Sequence, residues 1–111
     1  MKTIKGLDEK PQPMGDNVPA TVMEQIPTFR DMFRSAVGTA LSKSGDEAIE
    51  LFEIGLKIKR AKADIELEDA EFTKLKDKCD GNQAQWSSHF HAQVALKLRS
   101  AEKAVTELKE V

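Results

Sequence analysis

Phe29, Met32, Phe33, Ala36, Val37, Ala40 and Leu41 recur at i, i+3, i+4 and i+7 without a break, a spacing that gathers them on one face of an α-helix. A chain with such a stripe has to bury it against something, and the stretches of matching period all lie downstream. Thr28 and Asp31 supply a start signal for this helix. Ser44 and Glu47 have capping-box spacing, so the first helix is expected to end within residues 42–45 and a second to begin there.

The second helix is expected over about 45–62. Ile49, Phe52 and Leu56, with Leu51, Gly55 and Ile58 nearby, supply its apolar side. Asp46, Glu47, Glu50 and Glu53 come early, and Lys57, Lys59, Arg60 and Lys62 come late, which matches the helix dipole. Residues 63–67 alternate apolar and acidic side chains over too short a span for a sheet and read as a linker pinned by Ile65 and Leu67. Glu68 and Asp69 open a third helix through Phe72, Leu75 and Cys79. Asp80 and Gly81 are expected to end it with a left-handed cap.

The last segment, about residues 83–108, places Trp86, Phe90, Val94, Leu98, Ala101, Val105 and Leu108 at intervals of four or three. Fully helical, that stripe is roughly 33 Å long, more than the second or third helix alone could cover. Part of it is therefore expected to meet the first helix or a second chain, which makes these seven residues the candidate protein interface and a homo-oligomer the expected state. Trp86 and Phe90, one turn apart, suit an interface anchor or a core plug.

Residues 1–20 hold three of the four prolines and two of the six glycines, with few and irregularly spaced apolar side chains, and read as a flexible arm. Thr21 and Glu24, with Val22, Met23 and Ile26, allow one helical turn before Pro27. Hydrophobic residues at 40%, charged residues at 32% and aromatics at only 5% suit helices with charged outer faces. The expected fold class is all-α: a single domain over residues 21–111 built as a three- to four-helix bundle, with the flexible arm before it and a long C-terminal helix at its end.

A net charge of −2 gives no general attraction to nucleic acid or anionic lipid. The run Lys57, Lys59, Arg60 and Lys62 is the one candidate phosphate contact, but it lacks interleaved aromatics, so nucleic acid is not the expected partner. Cys79, His89 and His91 fall short of the four ligands a structural zinc needs, and the two histidines stand about 200° apart on a helix. The acids Asp64, Glu66, Glu68, Asp69 and Glu71 lack calcium-loop spacing and suit a helix start. With no phosphate loop, dinucleotide fingerprint, nucleophile elbow or zinc-protease motif, neither catalysis nor a cofactor or metal is expected. A lone cysteine, no signal-like N-terminus and no long apolar window together lead to the expectation of a cytoplasmic protein with no membrane partner.

The segment from Thr28 to Cys79 resembles short helical proteins encoded in phage and prophage genomes. An opening helix with Phe29, Arg30, Asp31 and Met32 leads to a second with Phe52, Glu53, Ile54, Gly55, Leu56, Lys57 and Ile58. An acidic-Leu step at Ile65, Glu66, Leu67, Glu68 and Asp69 precedes a helix with Leu75 and Lys76. The resemblance implies an accessory or assembly protein without assigned catalytic residues. The expected function is thus non-catalytic protein binding or assembly, with self-association through the C-terminal helix. The alternative is a small regulator that inhibits a host enzyme or binds nucleic acid through the basic end of the second helix.

Overall fold

The computed structural model describes residues 1–81 and 84–110, with side chains as far as residue 102. It runs through strand β1 (Lys2–Ile4), helices α1 (Ala20–Gln25), α2 (Phe29–Thr39) and α3 (Gly45–Arg60), strand β2 (Ile65–Leu67), and helices α4 (Asp69–Asp80) and α5 (Ser88–Glu110). The fold is mostly helical. Among the described residues it adds one element that a pure bundle lacks, an antiparallel pair of short strands.

Both capping signals that bound α2 and α3 work as their spacing implies. The Thr28 hydroxyl accepts from Asp31 N at 3.2 Å, and the Ser44 hydroxyl accepts from Glu47 N at 3.2 Å, which satisfies amides that the first turn leaves without a helical partner. Thr21 caps nothing: α1 begins after Pro19. The end of α4 also departs from expectation, since Gly81 has φ −72° and ψ −7°, right-handed geometry in which its N–H donates to Asp77 O. The glycine continues the helical turn and does not reverse it.

The segment expected to be a flexible arm is tied into the fold over its first twelve residues. Lys2, Thr3 and Ile4 pair with Leu67, Glu66 and Ile65, so the stretch expected to be a linker is a strand. Alternation over only three residues carries little signal alone, but two such strands bury Ile4, Ile65 and Leu67 on one side of the ladder. Beyond β1 the backbone turns at Gly6, whose φ of +69° favours glycine. Leu7 and Glu9 then accept at their carbonyls from Arg30 N (2.8 Å) and Phe29 N (2.9 Å), capping α2 with main chain. Further on, the Gln93 side chain accepts from Gln12 N at 2.7 Å and donates to Gln12 O at 3.0 Å. Lys97 of α5 donates to Lys5 O at 2.8 Å and stands 4.4 Å from the Phe29 ring centroid.

One core joins these elements. Phe29, Met32, Phe33, Ala36 and Val37 of α2 meet Leu51, Ile54 and Ile58 of α3, Phe72, Leu75 and Cys79 of α4, and Val94, Leu98 and Ala101 of α5. Each large side chain fully buried there contributes about 1.5–3 kcal/mol relative to exposure. Two expectations about this core are corrected. Helix α2 stops at Thr39, so Leu41 falls outside the stripe and is 84% exposed. In α3 the residues expected to face the core, Ile49 and Phe52, are 58% and 67% exposed, and the core is met by Leu51, Ile54 and Ile58.

Arg30 locks the C-terminal end of α3. Its guanidinium donates to Ile58 O (2.5 Å), Ala61 O (2.7 Å) and Lys62 O (2.7 Å), carbonyls the helix end leaves without partners, and its Nε donates to Asp8 at 3.1 Å. At the other end of α3, Glu47 accepts from Lys74 (3.2 Å) and Lys78 (3.3 Å) of α4. These two lysines hold the Glu47 carboxyl below the usual carboxylate range. They also account for Lys78 being the buried charged side chain of the described residues.

Candidate protein-binding surface

Helix α3 carries two apolar stripes of identical spacing. Leu51, Ile54 and Ile58 stand at i, i+3 and i+7, and Ile49, Phe52 and Leu56 repeat that pattern two residues earlier. Two residues are roughly 200° of helix rotation, so the stripes occupy opposite sides. The first is the core contact of α3. The second faces outward, with Ile49 and Phe52 exposed and Leu56 half-buried.

Beside the outer stripe, α2 and α3 diverge into a groove of about 560 Å³. It is lined by Val37 of α2 and Ala40 just past its end, and by Ala48, Leu51, Phe52, Gly55 and Leu56 of α3. Small side chains at 48 and 55 keep the groove open. Gly55 lies against Val37, where an added Cβ would stand 3.5 Å from the Val37 methyl, an ordinary contact. The basic side chains Arg34 and Lys59 edge the groove. On the opposite flank of the outer stripe, Asp46, Glu53 and Arg60 recur every seven residues, all exposed. Among the described residues none of Arg34, Lys59, Asp46, Glu53 or Arg60 forms an ion pair with another side chain.

The structure puts the seven candidate interface residues of the C-terminal helix elsewhere. Val94, Leu98 and Ala101 are buried within this chain, Val94 completely, in the helix that packs on β1 and α4. In this fold the side chains of these three already have their partners within one chain. Phe90 and Trp86 pack half-buried against the same core, Trp86 ahead of the helix with its ring edge-on to His91 at 5.8 Å. The side chains of Val105 and Leu108 lie outside those described. The long stripe finds its extra partner in β1, which the sequence hides because Ile4 is distant and isolated.

The basic run does not converge either. Lys57 is held by Glu71 at 2.7 Å, which raises the Lys57 pKa; Lys59 edges the groove and Arg60 lies on the opposite flank. Lys62 is past the helix end, its carbonyl accepting from Arg30. Four cations spread around a helix end give no single phosphate cradle.

Other chemistry-bearing side chains serve structure. Burial pushes the Cys79 thiol up to about 12, far from a thiolate at neutral pH. His89 Nε2 stands 2.6 Å from Gln12 O, a contact that puts the ring proton on that nitrogen. Among the described residues no three His, Cys, Asp or Glu side chains gather as a metal cradle, and no helix is long and apolar enough to cross a membrane. Compared with family models, with curated proteins and with solved structures, the chain gives no match.

Proposed function

We propose that this chain is a non-catalytic protein that works by binding protein, and that the outer stripe of α3 carries the contact. The observation behind this reading is the exposure of Phe52 at the edge of an apolar groove, with Ile49 exposed beside it on the same face of α3. Single exposed apolar residues are ordinary, whereas a helical row of them bordering a groove is the usual form of a helix-binding surface. The absence of catalysis is supported by Cys79, whose buried thiol stays protonated, and by His89, whose ring holds down the main chain at Gln12. An assembly role in a phage or prophage setting is part of the proposal and rests on the resemblance of residues 28–79.

Photo-crosslinking in the producing cell tests the reading. A benzophenone amino acid at position 52 is expected to give a protein adduct that disappears when Ile49→Glu is added. Irradiation that gives no adduct, or one indifferent to Ile49→Glu, would overturn it.

A further inference from the structure

We infer that the occupant of this surface is a second copy of the chain, its α3 packed antiparallel on the first about a two-fold axis near Phe52. The inference rests on the protein-binding reading above and names its partner.

The outer face of α3 is complementary to itself. A two-fold contact requires a patch that matches its own rotated image. When two helices pair antiparallel about a point midway between residues 52 and 53, Ile49 lies opposite Leu56 of the other copy, Leu56 lies opposite Ile49, and the two Phe52 rings flank the axis. The outer stripe, with apolar side chains three before and four after Phe52, is nearly symmetric about that point. In such a pairing each flank faces the same flank of its mate, run in reverse. The row Asp46, Glu53, Arg60 therefore brings Asp46 to Arg60 and Arg60 to Asp46, closing two ion pairs from groups that make none among the described residues of one chain. Parallel pairing would instead set this row against the flank of Ala48, Gly55 and Lys59, which places Arg60 beside Lys59 and gives Asp46 no cation. On the other flank, the small residues Ala48 and Gly55 and the groove beside them leave room for the incoming Phe52 ring.

Only Glu53 opposes this arrangement, since it faces its own copy at the centre of the row. That repulsion gives the pairing a signature: Glu53→Gln is expected to tighten the dimer several-fold, by removal of a like-charge contact. Three apolar positions per chain make a small interface, for which a dissociation constant on the order of 10 µM is expected. Phe52→Glu is expected to weaken it by about 100-fold or more, whereas Leu96→Glu, on the exposed side of α5, is expected to leave it unchanged.

Cysteine crosslinking of the full-length protein decides the geometry. The buried native Cys79 is expected to stay silent to a mild oxidant, with the wild-type chain as the control. A mixture of Asp46→Cys and Arg60→Cys proteins at about 100 µM, ten times the expected dissociation constant, should form mixed disulfide dimers, and neither variant alone should dimerise to a comparable extent. Self-crosslinking of each variant would overturn the antiparallel geometry. Absence of any crosslink, with a monomeric mass at every concentration, would overturn the second copy as occupant. In that last case a benzophenone adduct from position 52 to a different protein would leave the protein-binding reading standing, and no adduct at all would remove both.

Discussion

The two faces of α3 are built from the same chemistry and meet opposite fates. Leu51, Ile54 and Ile58 are buried, while Ile49, Phe52 and Leu56, at the same spacing two residues earlier, look outward. Composition and period are alike in the two rows, so neither can say which one becomes core. What decides is long-range. The α2 stripe, the Glu47 contact to Lys74 and Lys78, and the Arg30 clamp together fix the rotation of α3, and all three engage the side that holds Leu51, Ile54 and Ile58 or the helix ends. A second apolar row left outside by this rotation costs solubility without stabilising the monomer, and a protein contact is what would offset that cost.

The contrast is sharpest in stability. Ile58→Ala leaves a cavity in a fully buried position and is expected to cost about 2–5 kcal/mol in chemical denaturation. If Ile58→Ala cost no more than a surface change, the assignment of the inner face would be broken. Arg30→Ala is expected to cost about 2 kcal/mol, because it strips charged donors from the last carbonyls of α3, and the loss should localise to faster amide exchange at the end of α3. Phe52→Ser is expected to change monomer stability by less than about 0.5 kcal/mol, so that the two rows differ several-fold in their response to truncation.

Acid provides a further test of what fixes the rotation. Lys74 and Lys78 lower the Glu47 pKa, so the contribution of Glu47 is present above its unfolded value near 4.3 and is lost as pH falls through the lower folded value. Glu47→Gln is expected to flatten the acid limb of a stability–pH profile below the unfolded carboxylate value near 4.3, with the neutral region lowered. Cys79 acts at the other end. Its folded pKa, raised to about 12 by burial, means that stability is full below the unfolded value near 8.5 and declines as pH rises toward 12.

Much of the helical part was legible in the residues, since capping and periodicity are local. Thr28 with Asp31 and Ser44 with Glu47 mark two helix starts that the structure contains, and the α2 stripe names five buried side chains correctly. The misreadings share a cause, which is action at a distance. Ile4 and Leu7 look like stray apolar residues in a proline-rich stretch until β2 and the start of α2 are placed beside them. Arg30 looks like a surface cation because its acceptors are carbonyls, which carry no sequence signature, nearly thirty residues away. Val94, Leu98 and Ala101 were legible as a stripe, but its partner was not, because β1 supplies it from the far end of the chain. The outer row of α3 was legible as apolar, and only the fold reveals that it is outside.

The most direct measurement of the central claim is a series of amide correlation spectra of the intact 12.3 kDa chain recorded across its expected association range, from about 5 µM to 500 µM. Concentration-dependent shifts confined to the outer row of α3, abolished by Phe52→Glu, are the expected result. Spectra that do not change with concentration, or shifts that centre on α5 and survive Phe52→Glu, would contradict it.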